Sequence, residues 1–235
     1  MRLRPNCEIL LCGEEPGVRE QAKNLGVKFV SDISRSPSGR PLLNSVFESA
    51  EANTDSEYLC YVNTDIILMS DFMDAAQLMC SLRRPFLMVG QRRNVFVKET
   101  LCFEDGWEGS LRERADKEGT FCPGVDFFLF PRGLWTDMPG FAVGCCHYDN
   151  WLPYSARCHG AIVVDATAVV TAVHQEHSVF ERWKDPEFDM NWQLLEGQNV
   201  FTFAEATHLL TPQGLEMRCR SCFPICVCNP LDDNE

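Results

Sequence analysis

Apolar residues along this chain fall in short runs separated by polar or glycine- and proline-containing breaks, and the runs alternate between strand-like and helix-like spacing. EILLC (Glu8–Cys12) reads as a short buried strand stopped by GEEPG. Val18–Leu25 has helical spacing and ends at Gly26, and VKFV (Val27–Val30) reads as the next strand. SRSPSGRP (Ser34–Pro41) is a loop by composition, after which Leu43, Val46, Phe47 and Ala50 give Leu42–Ala52 a helical spacing. Tyr58–Leu68 predicts the central strand, Asp71–Leu82 a helix with Asp71 near its start, and PFLMVGQRR a further strand. This alternation predicts an α/β fold, Rossmann-like, with a mainly parallel sheet flanked by helices.

From Asn94 to Thr120 the pattern becomes charged and less regular, and EDGWEGSLRERADKEG is expected to cross the surface. GVDFFLFPRGLW restores a strand followed by a turn. YDNWLPYSARCHGA suits a helix begun by Asp149 or Asn150, with Pro153 in its first turn. AIVVDATAVVTAVHQEH offers two apolar strands separated by Asp165–Thr167. After Ser178 aromatic and charged residues mix without clear period. One domain over 1–210 and a cysteine-rich flexible tail over 211–235 is the organisation this predicts, with NPLDDNE disordered.

Composition narrows the partners. With 45% hydrophobic residues the chain can build a sizeable core, and 34 acidic against 21 basic residues give a formal charge of −13. That balance argues against nucleic acid or an anionic membrane as main partner, because phosphate neutralisation needs clustered cations. No apolar run approaches the ~18 residues of a membrane span, and Met1–Pro16 lacks a signal-peptide core, so a cytoplasmic location is expected. Thirteen cysteines are an odd number without a secretory signal, which argues against a disulfide framework. Cys219, Cys222, Cys226 and Cys228 lie within ten residues, but their C-x2-C-x3-C-x-C spacing is tighter than structural zinc sites use.

Candidate chemistry lies at strand ends, where open α/β sheets collect ligands. Gly13–Gly17, Asn63–Asp65, Gln91–Arg93 and Asp126 each follow or end an apolar run. CYVNTDIILMSDF places a carboxylate among apolar neighbours, so a metal, a ligand or a backbone turn must compensate Asp65. Asn63-x-Asp65 has the shape of an abbreviated D-x-D, and residues two apart on a strand point the same way. Mg²⁺ or Mn²⁺ wants oxygen ligands and commonly takes some from a diphosphate. Asp65 is then a direct ligand, and Asn63 a contact to metal, water or ribose.

GRPLLNSVFESA, YVNTDIILMSDF, VGQRRNV, GVDFFLFPRGLW, FAVG, HYDNWL and VVDATAVVTAVHQEH together resemble a family of uncharacterised glycosyltransferase-like proteins with the nucleotide-diphospho-sugar transferase (GT-A) fold. The similarity runs from about Leu3 to His177, roughly three quarters of the chain. It implies metal-dependent transfer from a nucleotide-diphospho-sugar donor to a hydroxyl acceptor. Asn63 and Asp65 take the D-x-D-like position facing diphosphate and metal, and Asp126 precedes the acceptor-side segment. Asp149 matches the acidic position that carries a general base, and His174 or His177 completes the metal sphere. Arg92 or Arg93 assists charge stabilisation at the diphosphate. The family begins with an additional strand and a tryptophan-ended segment before LRPNCEILLCG, so the first strand, which in this fold helps hold the nucleotide base, is expected to be missing here.

Plainer alternatives stand beside each role. Asp149 can cap a helix, Asp126 can pair with Arg132 or Arg157, and either histidine can be a hydrogen-bonded structural residue. A sugar-phosphate nucleotidyltransferase shares sheet and metal, but GEEPGVRE is too acidic for its phosphate loop. A truncated or inactive GT-A-fold binding protein is the alternative outside enzymes.

Overall fold

A computed structural model describes residues 7–97, 100–176, 186–195 and 206–218. The most apolar segment, PFLMV, becomes the first half of the long strand β5 (Phe86–Val95), and its Phe86, Leu87, Met88 and Val89 are completely buried. Side chains alternate across a strand, so these four feed two separate apolar layers. Leu87 and Val89 pack in the layer covered by α2 (Leu43–Asn53) and α5 (Tyr148–Cys158). Phe86 and Met88 pack in the layer covered by α3 (Ser70–Cys80). Helices therefore flank both faces of the sheet, as the α/β pattern predicts.

Among the described residues the main sheet has eight strands, and it is mixed rather than mainly parallel. Its ladder runs β10 (Gly214–Met217), β9 (His208–Thr211), β7 (Ile162–Asp165), β5, β6 (Thr120–Pro131) and β3 (Tyr58–Val62). β5–β7 and β7–β9 are parallel, whereas β5–β6, β3–β6 and β9–β10 are antiparallel. Strand–helix alternation misleads here because short connections also join strands: β9 and β10 share a two-residue turn, which only an antiparallel pair permits. β1 (Leu10–Cys12) and β2 (Lys28–Val30) form a separate parallel pair, joined by α1 (Val18–Leu25). Gly26 ends α1 as expected, with φ 61° and its N–H turned back to Ala22 and Lys23 carbonyls.

Two corrections bear on the site. The segment Tyr58–Leu68 is neither one strand nor central: β3 lies at the end of the ladder, and the chain breaks at Asn63–Asp65 before β4 (Ile66–Leu68). β4 then pairs with β8 (Ala172–Gln175), not with β3's neighbour. The segment expected to cross the surface does so as a regular helix, α4 (Trp107–Glu118), which buries only Leu111 and Ala115. That single i,i+4 contact is too narrow a stripe to stand out in a charged sequence. A sixth helix, α6 (Pro186–Gln193), lies in the region without clear period. The sheet continues through Met217, inside the stretch assigned to the tail, and the cysteine cluster 219–228 lies outside the described residues. No helix among the described residues is long and apolar enough to cross a membrane.

β5 is where the sheet forks. Its first four residues pair with β7 and its last four with β8, with register shifts between Val89 and Arg92. The β7–β8 connection fills the fork: Ala166 donates its N–H to the Val89 carbonyl at 2.8 Å, and Thr167 Oγ1 accepts from Gln91 N–H at 2.9 Å. Gly90 is required at this point, since a Cβ there would sit 2.8 Å from Cζ of the buried Phe127 ring. Gly90→Ala is expected to lower stability by about 1–3 kcal/mol through overpacking, measured by chemical denaturation. An unchanged midpoint would mean that the fork yields to a methyl group.

Candidate functional site

The polar interruption after Val62 is a tight turn. Ile66 donates its N–H to the Asn63 carbonyl at 3.1 Å, so Asn63 opens the turn and Asp65 stands at its second corner, and the two do not share one strand face. Their side chains consequently engage different partners. Asn63 Nδ2 donates to Asp126 Oδ1 at 2.6 Å, and its Oδ1 accepts from Tyr61 OH at 2.9 Å, with Tyr148 OH at 3.4 Å. Its backbone N–H also reaches the Asp126 carbonyl at 3.0 Å. Asn63 is thus a strut that locks Asp126 to two tyrosines, which its expected contact with metal, water or ribose does not describe.

Asp126, on β6, pairs through Oδ2 with Arg92 Nη1 on neighbouring β5. Both side chains are largely buried, at 9% and 12% exposed, so each charge depends on the other. Arg92 is further fixed by Nε donating to Asn94 Oδ1 at 3.2 Å. Arg132, offered as a partner for Asp126, instead donates to the carbonyls of Glu51, Thr54 and Ser56. Cross-strand adjacency decides the pairing, and it is invisible in the linear sequence.

Asp65 Oδ2 lies 3.2 Å from His174 Nε2, brought there by the β4–β8 register that opposes Ile66 to His174. The carboxylate is 35% exposed while His174 is buried. Burial, and then the Arg92 charge, depress the His174 pKa against the opposing pull of Asp65 and Asp126, so the ring is neutral at pH 7. The burial cost that made Asp65 puzzling is modest, because it stands in a turn with a histidine beside it.

Asp149 occupies the first turn of α5, where Oδ1 accepts the His147 N–H at 3.1 Å. The helix starts at Tyr148 with His147 at its N-cap, so Asp149 neither begins nor caps it, and its carboxylate braces the backbone just before α5. Burial, then the charge of Asp126, raises its pKa from 3.8 to about 6, despite those backbone donors. Pro153 lies inside α5 and not in its first turn, so it cannot give the Asp149 carbonyl a helical hydrogen bond. Tyr148, buried, and Tyr61, partly buried beside it, have values raised by desolvation and stay protonated.

No family model, curated protein or solved structure matches this chain. What the site can do has to be read from its own side chains.

Asp65, Asn63, Arg92, Asp126, Asp149 and His174 come together around the end of β3. Arg93 does not join them. It projects from the opposite face of β5, pairs with Asp116 of α4 and lies 4.8 Å over the Phe121 ring. His177 lies outside the described residues. Among the described residues no group of three or more His, Cys, Asp or Glu side chains is placed to hold a metal ion. Asp65 with His174 therefore suits a divalent cation only if phosphate or water oxygens supply most of its shell.

The sequence reading missed the residues that position Asp149. Asn191 of α6, completely buried, accepts the Ala142 N–H at 2.8 Å and donates to the Ala142 and Cys146 carbonyls at 3.1 and 3.0 Å. His147, which precedes α5 with φ 89°, packs between Phe188 and Trp192 at 4.7 and 5.0 Å between ring centroids. Glu187 accepts the Ser38 N–H at 3.2 Å and lies 3.3 Å from Arg40 Nε. The only signal was the i,i+4 recurrence of Glu187 with Asn191 and Phe188 with Trp192.

Proposed function

We propose that this chain is a glycosyltransferase that moves a sugar from a nucleotide-diphospho-sugar to an acceptor hydroxyl, with a GT-A type of fold. The observation that supports it is the convergence of a cation-ready carboxylate, Asp65, with a fixed arginine, Arg92, and a carboxylate titrating near neutrality, Asp149. A divalent ion held by Asp65 would neutralise charge on the departing diphosphate. Arg92, immobilised by Asp126 and Asn94, supplies a preorganised positive charge to the same region. Asp149 takes the proton as the acceptor oxygen bonds to the anomeric carbon and the bond from that carbon to the diphosphate oxygen breaks. Asn63, Tyr61 and Tyr148 hold Asp126 and exclude water from its far side.

The test is a thermal-shift screen of nucleotide sugars with and without Mn²⁺, since a ligand stabilises according to its occupancy. Asp65→Ala is expected to keep the apo fold and abolish the Mn²⁺-dependent shift. A mutant that responds to donor and Mn²⁺ as its parent does would sink the assignment. One observation favours a second reading, a non-catalytic binding protein: the Asn63 amide and one Asp149 oxygen are already satisfied inside the fold. In that case donor stabilisation survives and no acceptor is consumed.

A further inference from the structure

A second polar cleft lies on the opposite face of β5, between that strand, α4 and the β7–β8 connection. It encloses about 110 Å³ and is lined by Gln91, Arg93, Arg112, Phe121 and residues 167–172. Strand alternation separates it from the Arg92–Asp126 pair, so it is no extension of the candidate active site. We infer that this cleft binds a small phosphate-type oxyanion, either free phosphate or the phosphate group of a small monoester. The inference stands apart from the transfer reading.

The two arginines carry the argument. Arg112 Nη1 serves both Asp71 Oδ2 and Thr171 Oγ1, the latter at 2.6 Å, and Arg93 Nη1 serves Asp116 Oδ1. Among the described residues the Nε and Nη2 groups of both arginines make no hydrogen bond, so each guanidinium retains a donor edge. Such edges match tetrahedral oxyanions, which accept paired N–H bonds. The two carboxylates present are unequal competitors. Asp71 is mostly buried, also accepts the Thr171 N–H at 2.9 Å, and holds Arg112 in place. Asp116 is 58% exposed on α4, and an exposed ion pair of that kind contributes little. A dianion can therefore replace Asp116 at Arg93 while Asp71 keeps Arg112 fixed. The volume suits one phosphate group and falls far below the roughly 300–1,000 Å³ that encloses a drug-sized ligand.

The experiment is calorimetric titration of the full chain with inorganic phosphate, and separately with glycerol phosphate, at constant ionic strength. Saturable binding is expected, weakened at least about tenfold by Arg93→Gln, since one of two charged bidentate donors is lost. Asp116→Asn, which removes the competing carboxylate, is expected to strengthen binding severalfold. A purely structural arginine would not produce this opposite response of the two variants. Tighter binding of the ester identifies a phosphorylated small molecule as ligand, and tighter binding of phosphate identifies the free anion. Absence of saturable binding to either, or equal affinity in parent and Arg93→Gln with matching circular dichroism, overturns the proposal.

Discussion

Asp149→Asn is expected to reduce sugar transfer by about 10²–10⁴-fold while leaving donor affinity within about threefold. A general base acts on the acceptor only as its hydroxyl attacks, so its loss appears in turnover and not in donor binding. Asparagine keeps an oxygen for the His147 N–H, so the start of α5 should survive. The parent carries its own pH signature. The base must be deprotonated, so transfer should rise with pH through about 6 and then level off. Stability runs the other way: the folded-state pKa is raised, so this carboxyl contributes stability that is present below its unfolded value and lost as pH rises through about 6. The asparagine variant should lack both dependences and be at least as stable as its parent at pH 7.5. A variant that transfers sugar at the parental rate leaves Asp149 with the His147 backbone contact alone.

Asp126→Ala is expected to destabilise the protein by about 3–5 kcal/mol, because it strands a buried guanidinium. The neutral Asn94 amide and the Cys122 side chain beside Arg92 cannot replace a carboxylate, and Asn63 Nδ2 loses its shortest acceptor as well. For a chain of this size that is a fall in Tm of roughly 6–20 °C. The paired replacement Arg92→Met with Asp126→Leu should recover most of the loss, since it removes both charges and fills the volume. Recovery of stability without recovery of ligand binding would separate the structural role of the pair from its charge at the site. A single Asp126→Ala variant as stable as the parent would show that water reaches Arg92 freely.

The contrast between Arg92 and Arg93 shows how far the sequence can be read. That a strand passes through FLMVGQRR is plain from its apolar run, as it is for Ile162–Asp165 and Ala172–Gln175, and the helix Val18–Leu25 is plain from its spacing and the glycine that ends it. Which arginine faces Asp126 is not plain, because register shifts between Val89 and Arg92 reset the alternation where it matters. Asn63 and Asp65 announced themselves as polar residues in an apolar run. Their divergence depends on a turn that a strict strand period cannot reveal. The partners of Asp65, Asp126 and Asp149 come from residues 34 to 109 positions away or from burial itself, and no local pattern encodes those. α4 and α6 escaped for the opposite reason, since each buries too few apolar side chains to imprint a period.

The hold of Asn191 on Ala142 and Cys146 ties the placement of Asp149 to a helix some forty residues further along the chain. The order of events during synthesis follows from it. The segments that carry Asp65, Arg92 and Asp126 are made well before α6 emerges, so Asp149 is the last of these carboxylates to be set in place. The same contact makes local fluctuation and chemistry one equilibrium: whenever α6 lifts, the Ala142 amide loses its acceptor and the approach to α5 loses its anchor. On the proposed reading, readiness for proton transfer is thus a property of how often a short helix stays docked.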